Sequence, residues 1–243
     1  MNNLSKALSL VEVVFAQDGK PVTPSQAAAA TGINLATCAR IMTELVEAGY
    51  LDKVSRRSGY VGGALVFALA GRPGAYHEIV EASRGPLSAL AAELGVTVNL
   101  AVMEQGRRRI LLSSPPPGGK RVPLRNTYES FCDFQGTATG RLLLSRATAA
   151  ERGALADRLG LDKAERETLE RDLRQLGKAK EVLFHDSAMG LWIVGALLEP
   201  PELPAFSFGF GVREDGKELA VAACRRTAGH IAAKFQRQET IAF

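Results

Sequence analysis

The chain has 243 residues, 46% of them hydrophobic and 23% charged, with a formal net charge of +4 and a pI near 9.1. That supplies apolar material for one large or two ordinary domains, and it permits nucleic-acid binding without requiring it. Uncharged apolar runs stay short of bilayer-spanning length and the N-terminus lacks a signal-peptide pattern, so a cytoplasmic protein with no membrane partner is expected. Cys38, Cys132 and Cys224 are odd in number and widely spaced, which argues against a disulfide framework and a zinc cluster. No cofactor or metal is called for.

Residues 2 to 17 read as a helix with Leu4, Leu8, Val11 and Phe15 on one face, ended by Asp18-Gly19. Thr23 and Ser25 flank Pro24 and suit a capped second helix running through Ala27 to Ala30. Thr31-Gly32 breaks it, and Asn34 is a good N-cap for a third helix. In that helix Ile33, Cys38, Met42 and Leu45 form the buried stripe, while Asn34, Ala36, Thr37, Arg40, Thr43 and Glu44 face out. Short polar residues and one forked cation on the first turns fit the major groove. A basic hairpin follows, with Leu51 and Val54 on one arm, Arg56-Arg57-Ser58-Gly59 at the turn and Tyr60-Val61 returning. This is the pattern of a winged helix-turn-helix. Its candidate DNA contacts are Thr23, Ser25, Asn34, Ala36, Thr37, Arg40, Lys53, Arg56 and Arg57. Residues 1 to 72 hold only seven Lys or Arg against five Asp or Glu, so each copy should bind weakly and work in pairs.

Gly62-Gly63 closes the hairpin, and Ala64 to Ala70 reads as an apolar connecting helix expected to pack against its twin in a dimer. Gly71-Arg72-Pro73-Gly74 is the clearest boundary. The division is therefore 1–63 for the winged helix-turn-helix, 64–74 for the linker helix and 75–243 for a second domain.

The second domain opens with a helix over Ala75 to Gly95, then strands at Val96–Met103 and Arg109–Ser113, joined through Gln105-Gly106. Pro115 to Gly119 is a loop and Arg121–Leu124 a candidate edge strand. From Arg107 to Tyr128 there are six cations and no carboxylate, which reads first as a solvated basic face. Gly136-Thr-Ala-Thr-Gly140 starts a helix whose small residues expose backbone N–H groups, a place for an anion. Charged helices at Ala149–Leu159 and Lys163–Gly177, apolar strands at Leu191–Leu198 and Ala205–Val212, and a last helix over Glu214–Gln236 complete the domain. Strands bracketed by helices point to an α+β sensor domain.

The blocks LSKALSLVEVVF, ATGINLATCARIMTELVEAGYL and SGYVGG, then LSALAAELGVTVNLAVME, TATGRLLLS and GLWIVGALL, resemble the IclR-type family of bacterial transcriptional regulators in order and spacing over nearly the whole chain. The resemblance implies an α+β chain: an N-terminal winged helix-turn-helix joined by a linker helix to a C-terminal GAF-like α/β effector-binding domain. It implies homodimers or homotetramers on a palindromic double-stranded DNA operator. It also implies a small effector, an organic acid, held near Ala138, Thr139 and Gly140, with Asp186 and Ser207 at family positions. Arg141 stands where a lysine is common, Ile193 where a polar residue or cysteine is common, and Gly62 where leucine is usual. Tyr128, Phe131, Phe134 and Trp192 make the pocket region aromatic, so Phe134 and Trp192 join the effector candidates and a larger, partly apolar carboxylate is expected. Two other readings compete. One is a thiol hydrolase built from Cys132, His185 and Asp186; the other is a DNA-binding dimer whose second domain only oligomerises.

Overall fold

The structure, a computed structural model, describes residues 2–17, 19–55, 58–70, 74–104, 106–119 and 134–239. The chain divides into two compact units, the first ending at Ala75 and the second starting at Tyr76. The expected edge strand at 121–124, the wing-tip arginines Arg56 and Arg57, and Tyr128, Phe131 and Cys132 lie outside the described residues.

In the first unit α1 (Asn3–Phe15), α2 (Pro24–Thr31) and α3 (Leu35–Glu47) pack around Leu10, Val13, Val14, Ala27, Cys38, Ile41 and Met42. Thr23 caps α2 through a reciprocal pair with Gln26, whose side chain accepts from the Thr23 N–H. Gly32 then turns the chain at φ +68°, a left-handed conformation that costs glycine little. Asn34 caps α3 by accepting from the Ala36 N–H. The antiparallel wing of β1 (Leu51–Ser55) and β2 (Gly59–Gly62) is tied to the α1–α2 connection by a bridge between Val22 and Tyr60. Gly59 stands at φ +97°, and a Cβ there would lie 2.5 Å from the Val22 carbonyl oxygen. Helix α4 (Ala64–Ala70) packs within this unit, its Phe67 ring 5.9 Å from Phe15, yet no residue of it is buried.

The second unit is a five-stranded antiparallel sheet of order β4-β3-β7-β6-β5: Arg107–Ser114, Val98–Glu104, Phe206–Val212, Leu191–Leu198 and Glu181–Asp186. One face buries Leu100, Val194, Phe206 and Phe208 against α5 (His77–Leu94) and α9 (Lys217–Glu239). The other face carries α6 (Ala138–Leu144), with Leu142 and Leu143 on Ala101, Ile193 and Leu197. Helices α7 (Ala149–Arg158) and α8 (Lys163–Leu176) add a smaller core around Phe134, Leu155 and Leu169. Strand β5 was not evident in the sequence, because a short edge strand with the charged ends Glu181 and Asp186 follows two charged helices.

Two local devices shape the α6 side. Helix α6 rides directly on sheet backbone: a Cβ on Gly195 or Gly209 would lie 2.4 Å or 2.8 Å from the Ala138 Cβ. Small residues on both surfaces permit that approach. Strand β4 carries one extra residue between its pairings Leu112–Leu100 and Ile110–Ala101. Such a bulge shifts the alternation of side chains by one position. Arg108 and Ser113, an odd number of residues apart, thereby share the α6 face with Asn99.

Candidate functional site

In the first unit the exposed side of α3 carries Asn34, Ala36 and Arg40, with Thr37 half-buried at its edge. The Asn34 carboxamide is occupied by capping, so its capacity toward a base edge is reduced to what the cap leaves. Arg40 donates to Glu44 one turn on, an exposed pair that holds the guanidinium over the helix at little cost to break. Leu35, half exposed on the first turn, was missed by the sequence reading and is an apolar side chain of the kind that can contact a thymine methyl. Thr23 serves the α2 cap, Ser25 follows on its first turn, and Lys53 lies 5.7 Å from the Tyr60 ring centre.

In the second unit a cavity of about 160 Å³ opens between the start of α6 and the sheet. Asn99, Arg108, Ile110, Thr139, Ile193 and Gly209 line it. Arg108 is the one buried charged side chain among the described residues, 4% exposed. Its Nη1 donates to the hydroxyls of Thr137 and Thr139 at 2.5 and 2.9 Å. Thr137 in turn caps α6, accepting from the Gly140 N–H. The helix start is therefore built, but the cation of the site is a side chain rather than the free N–H groups expected from the sequence. The Asn99 Oδ1 and, directly across on β4, the Ser113 Oγ are buried on the same face without a hydrogen-bond partner. Neither Arg108 nor Asn99 was singled out by sequence. Arg108 was masked by Arg107 and Arg109 on either side, and its even spacing with Ile110 is matched by that of Arg109 with Leu111, so the sequence alone did not single it out.

The effector candidates named from the sequence divide between this cavity and other places. Ala138 and Thr139 line the cavity, whereas Gly140 packs on the Phe134 backbone, where a Cβ would come within 2.4 Å of its oxygen. Phe134 is core, with Leu144, Leu155 and Leu169. Ser207, fully buried, donates to the Ala196 carbonyl. Asp186 accepts from the Ala188 and Met189 N–H groups in the β5–β6 turn. Trp192 points to the opposite sheet face, where its indole donates to Glu214, Lys217 lies 3.5 Å from its ring centre, and the His185 ring lies tilted at 5.3 Å. His185 and Asp186 are consecutive strand residues and so project from opposite faces, which separates them as a catalytic pair. Burial pushes the Cys224 thiol up to about 12, the wrong direction for a nucleophile. No group of three or more His, Cys, Asp or Glu among the described residues is placed to hold a metal ion.

Four larger hollows, about 460 Å³ beside α9, 290 Å³ between α6, α8 and β5, 390 Å³ beside the end of β7 and 200 Å³ between β5 and α9, have no buried unpartnered side-chain atom among their described lining residues. Arg225 meets Glu181 in the first and Gln135 meets Asp172 in the second. The smaller cavity is the one with a buried cation and buried unpartnered oxygens on its face of the sheet.

The architecture is a winged helix-turn-helix followed by an antiparallel α+β domain that holds a cavity with a buried cation. Residues 4–55 match the IclR helix-turn-helix domain family. The whole chain has the fold of solved IclR-type regulators. An IclR homolog from Microbacterium hydrocarbonoxydans, solved as a complex with 4-hydroxybenzoate, shares 15% identity at TM-score 0.70, covering 97% of this chain and 100% of that one. The IclR of Thermotoga maritima shares 17% identity at TM-score 0.58, over 97% and 99% of the two chains. A regulator from Alicyclobacillus acidocaldarius shares 16% at 0.64, over 95% and 97%. No curated protein matches the sequence. Residues 4–55 thus match the IclR helix-turn-helix domain family, and the chain as a whole shares the fold of these solved regulators. No helix among the described residues is long and apolar enough to cross a membrane.

Proposed function

We infer that the protein binds operator DNA as a dimer or tetramer and that a single-ring organic acid, held in the cavity beneath α6, modulates that binding. The observation that carries this reading is Arg108, a guanidinium buried against a cavity of about 160 Å³. An apolar cavity of about 150 Å³ is enough to hold benzene, so the volume suits one ring rather than a fused system. Apolar Ile110 and Ile193 supply the walls, and the cation supplies the reason for an acid. That an IclR homolog of the same fold was solved with 4-hydroxybenzoate agrees with this size and charge. The larger effector anticipated from Phe134 and Trp192 keeps its ring and loses those two contacts.

Pairing of protomers is supported by α4 and the start of α1. Leu4, Leu8, Leu65, Phe67 and Leu69 are large apolar side chains exposed in the first unit, more than isolated surface residues account for. A second copy of the chain covers them in this reading. Two-fold pairing would present two α3 helices to a palindromic site and offset the weak charge of each. The test is calorimetry of the full-length protein with benzoate-class acids and with two- or three-carbon acids. Binding of the ring acids supports the reading. Binding confined to the short acids overturns it.

A further inference from the structure

Resting on the operator-binding reading, we propose that α3 reads a thymine in each half-site through its 5-methyl group, with Leu35 as the residue that decides it. Leu35 opens α3 and is 50% exposed. It belongs neither to the core of the first unit nor to the partly buried rim packed around that core. The exposed half of this side chain therefore contributes no burial within the protomer.

The outward face of α3 consists of two rows at four-residue spacing, Leu35-Ala39-Thr43 and Ala36-Arg40-Glu44. Its polar groups are largely committed within the helix. The Thr43 hydroxyl donates back to the Ala39 carbonyl, Arg40 donates to Glu44, and the Asn34 Oδ1 accepts from the Ala36 N–H. At the N-terminal end, where a recognition helix meets base edges, three things remain on this face. They are the Leu35 side chain, the Ala36 methyl and the two N–H donors of the Asn34 amide, with half-buried Thr37 at the margin.

The four bases differ in how well they match that set. Adenine offers a donor beside an acceptor, and a paired contact to it needs the Asn34 oxygen that capping already uses. Guanine offers two acceptors and no methyl, and cytosine a donor. Thymine alone sets an acceptor, its O4, beside a methyl group. An amide donor next to an aliphatic side chain suits that edge. Arg40, one turn further on, is left for phosphate, since an exposed pair with Glu44 is given up at little cost.

The experiment uses full-length protein to select binders from random-sequence duplexes. The selected duplex is then remade with deoxyuridine for thymine, one position per half-site at a time, which removes the methyl and keeps O4. Fluorescence anisotropy at one salt concentration gives the affinities. At one such position the uracil duplex is expected to bind about 15-fold more weakly, or about four-fold per half-site, the factor that burial of a single methyl group carries. Leu35→Ala is expected to bind both duplexes alike, near the native protein's affinity for the uracil form, with an unchanged melting temperature. A selected site without thymine, or one indifferent to uracil at every position, overturns the proposal and leaves operator binding standing. A uracil penalty that persists in Leu35→Ala overturns the role of Leu35. Enrichment of no sequence at all overturns the operator-binding reading and the proposal with it.

Discussion

Arg108 shows how a single residue can carry the functional argument. Burying a guanidinium is costly unless polar atoms surround it, and here the hydroxyls of Thr137 and Thr139 are spent on that purpose at the start of α6. A charge-assisted bond to a carboxylate contributes about 1.5–3 kcal/mol, or roughly 10- to 150-fold in affinity. Arg108→Met keeps much of the side chain's length and removes the charge. It is expected to lower ring-acid affinity by at least ten-fold while the protein still melts cooperatively. Calorimetry beside a thermal melt checks both halves, and unchanged affinity would remove Arg108 from the site. The sequence showed a run of cations here and no reason to prefer one. Only the pairing of Arg108 with Met103, on the face that carries α6, separates it from its exposed neighbours.

At the scale of elements, the local signals that were strongest in the sequence were those written in short-range chemistry. Thr23, Gln26, Gly32 and Asn34 mark the ends of α2 and α3 because caps and left-handed turns are made by residues within a few positions of one another. The bulge in β4 has no such signature. It is a property of the pairing with β3, so strict alternation would have put Arg108 and Ser113 on opposite faces. Edge strand β5 was missed for a related reason, since only its pairing with β6 identifies Val182 and Phe184 as inward residues. Trp192 was misplaced by the same limit: one position along β6 exchanges the α6 face for the α9 face. Helix α4 is the contrasting case, legible as an apolar helix but not in what covers it. Phe67 is 65% exposed and retains its contact with Phe15. Phe67→Glu puts a charge into the surface proposed to pair and should weaken self-association at least 100-fold, with a melting temperature for the isolated protomer close to the parent's. Sedimentation equilibrium reads the first quantity directly, and an unchanged mass distribution would move the dimer contact away from α4.

For the whole molecule the question is whether occupancy of a cavity in one unit changes DNA binding by the other. Thermodynamics constrains the answer without requiring a route. If the acid changes operator affinity by some factor, operator DNA must change acid affinity by the same factor in the same direction, because both describe one cycle of four states. Coupling of this kind is typically about 1–3 kcal/mol, or roughly 5- to 150-fold. With only a small excess of cations in the first unit, the proposed pairing makes such a factor decisive, since weak phosphate contact per copy would leave affinity dependent on how two copies are presented. Two ratios are therefore expected to agree at one salt concentration. One is the operator dissociation constant with saturating hydroxybenzoate over that without it. The other is the hydroxybenzoate dissociation constant with saturating operator over that without it. Fluorescence anisotropy of labelled operator gives the first ratio and calorimetry on the protein–DNA complex the second. Both ratios equal to one would mean that the cavity binds its acid without regulating DNA. A shared ratio of five or more makes the cavity beneath α6 the regulatory input of this protein.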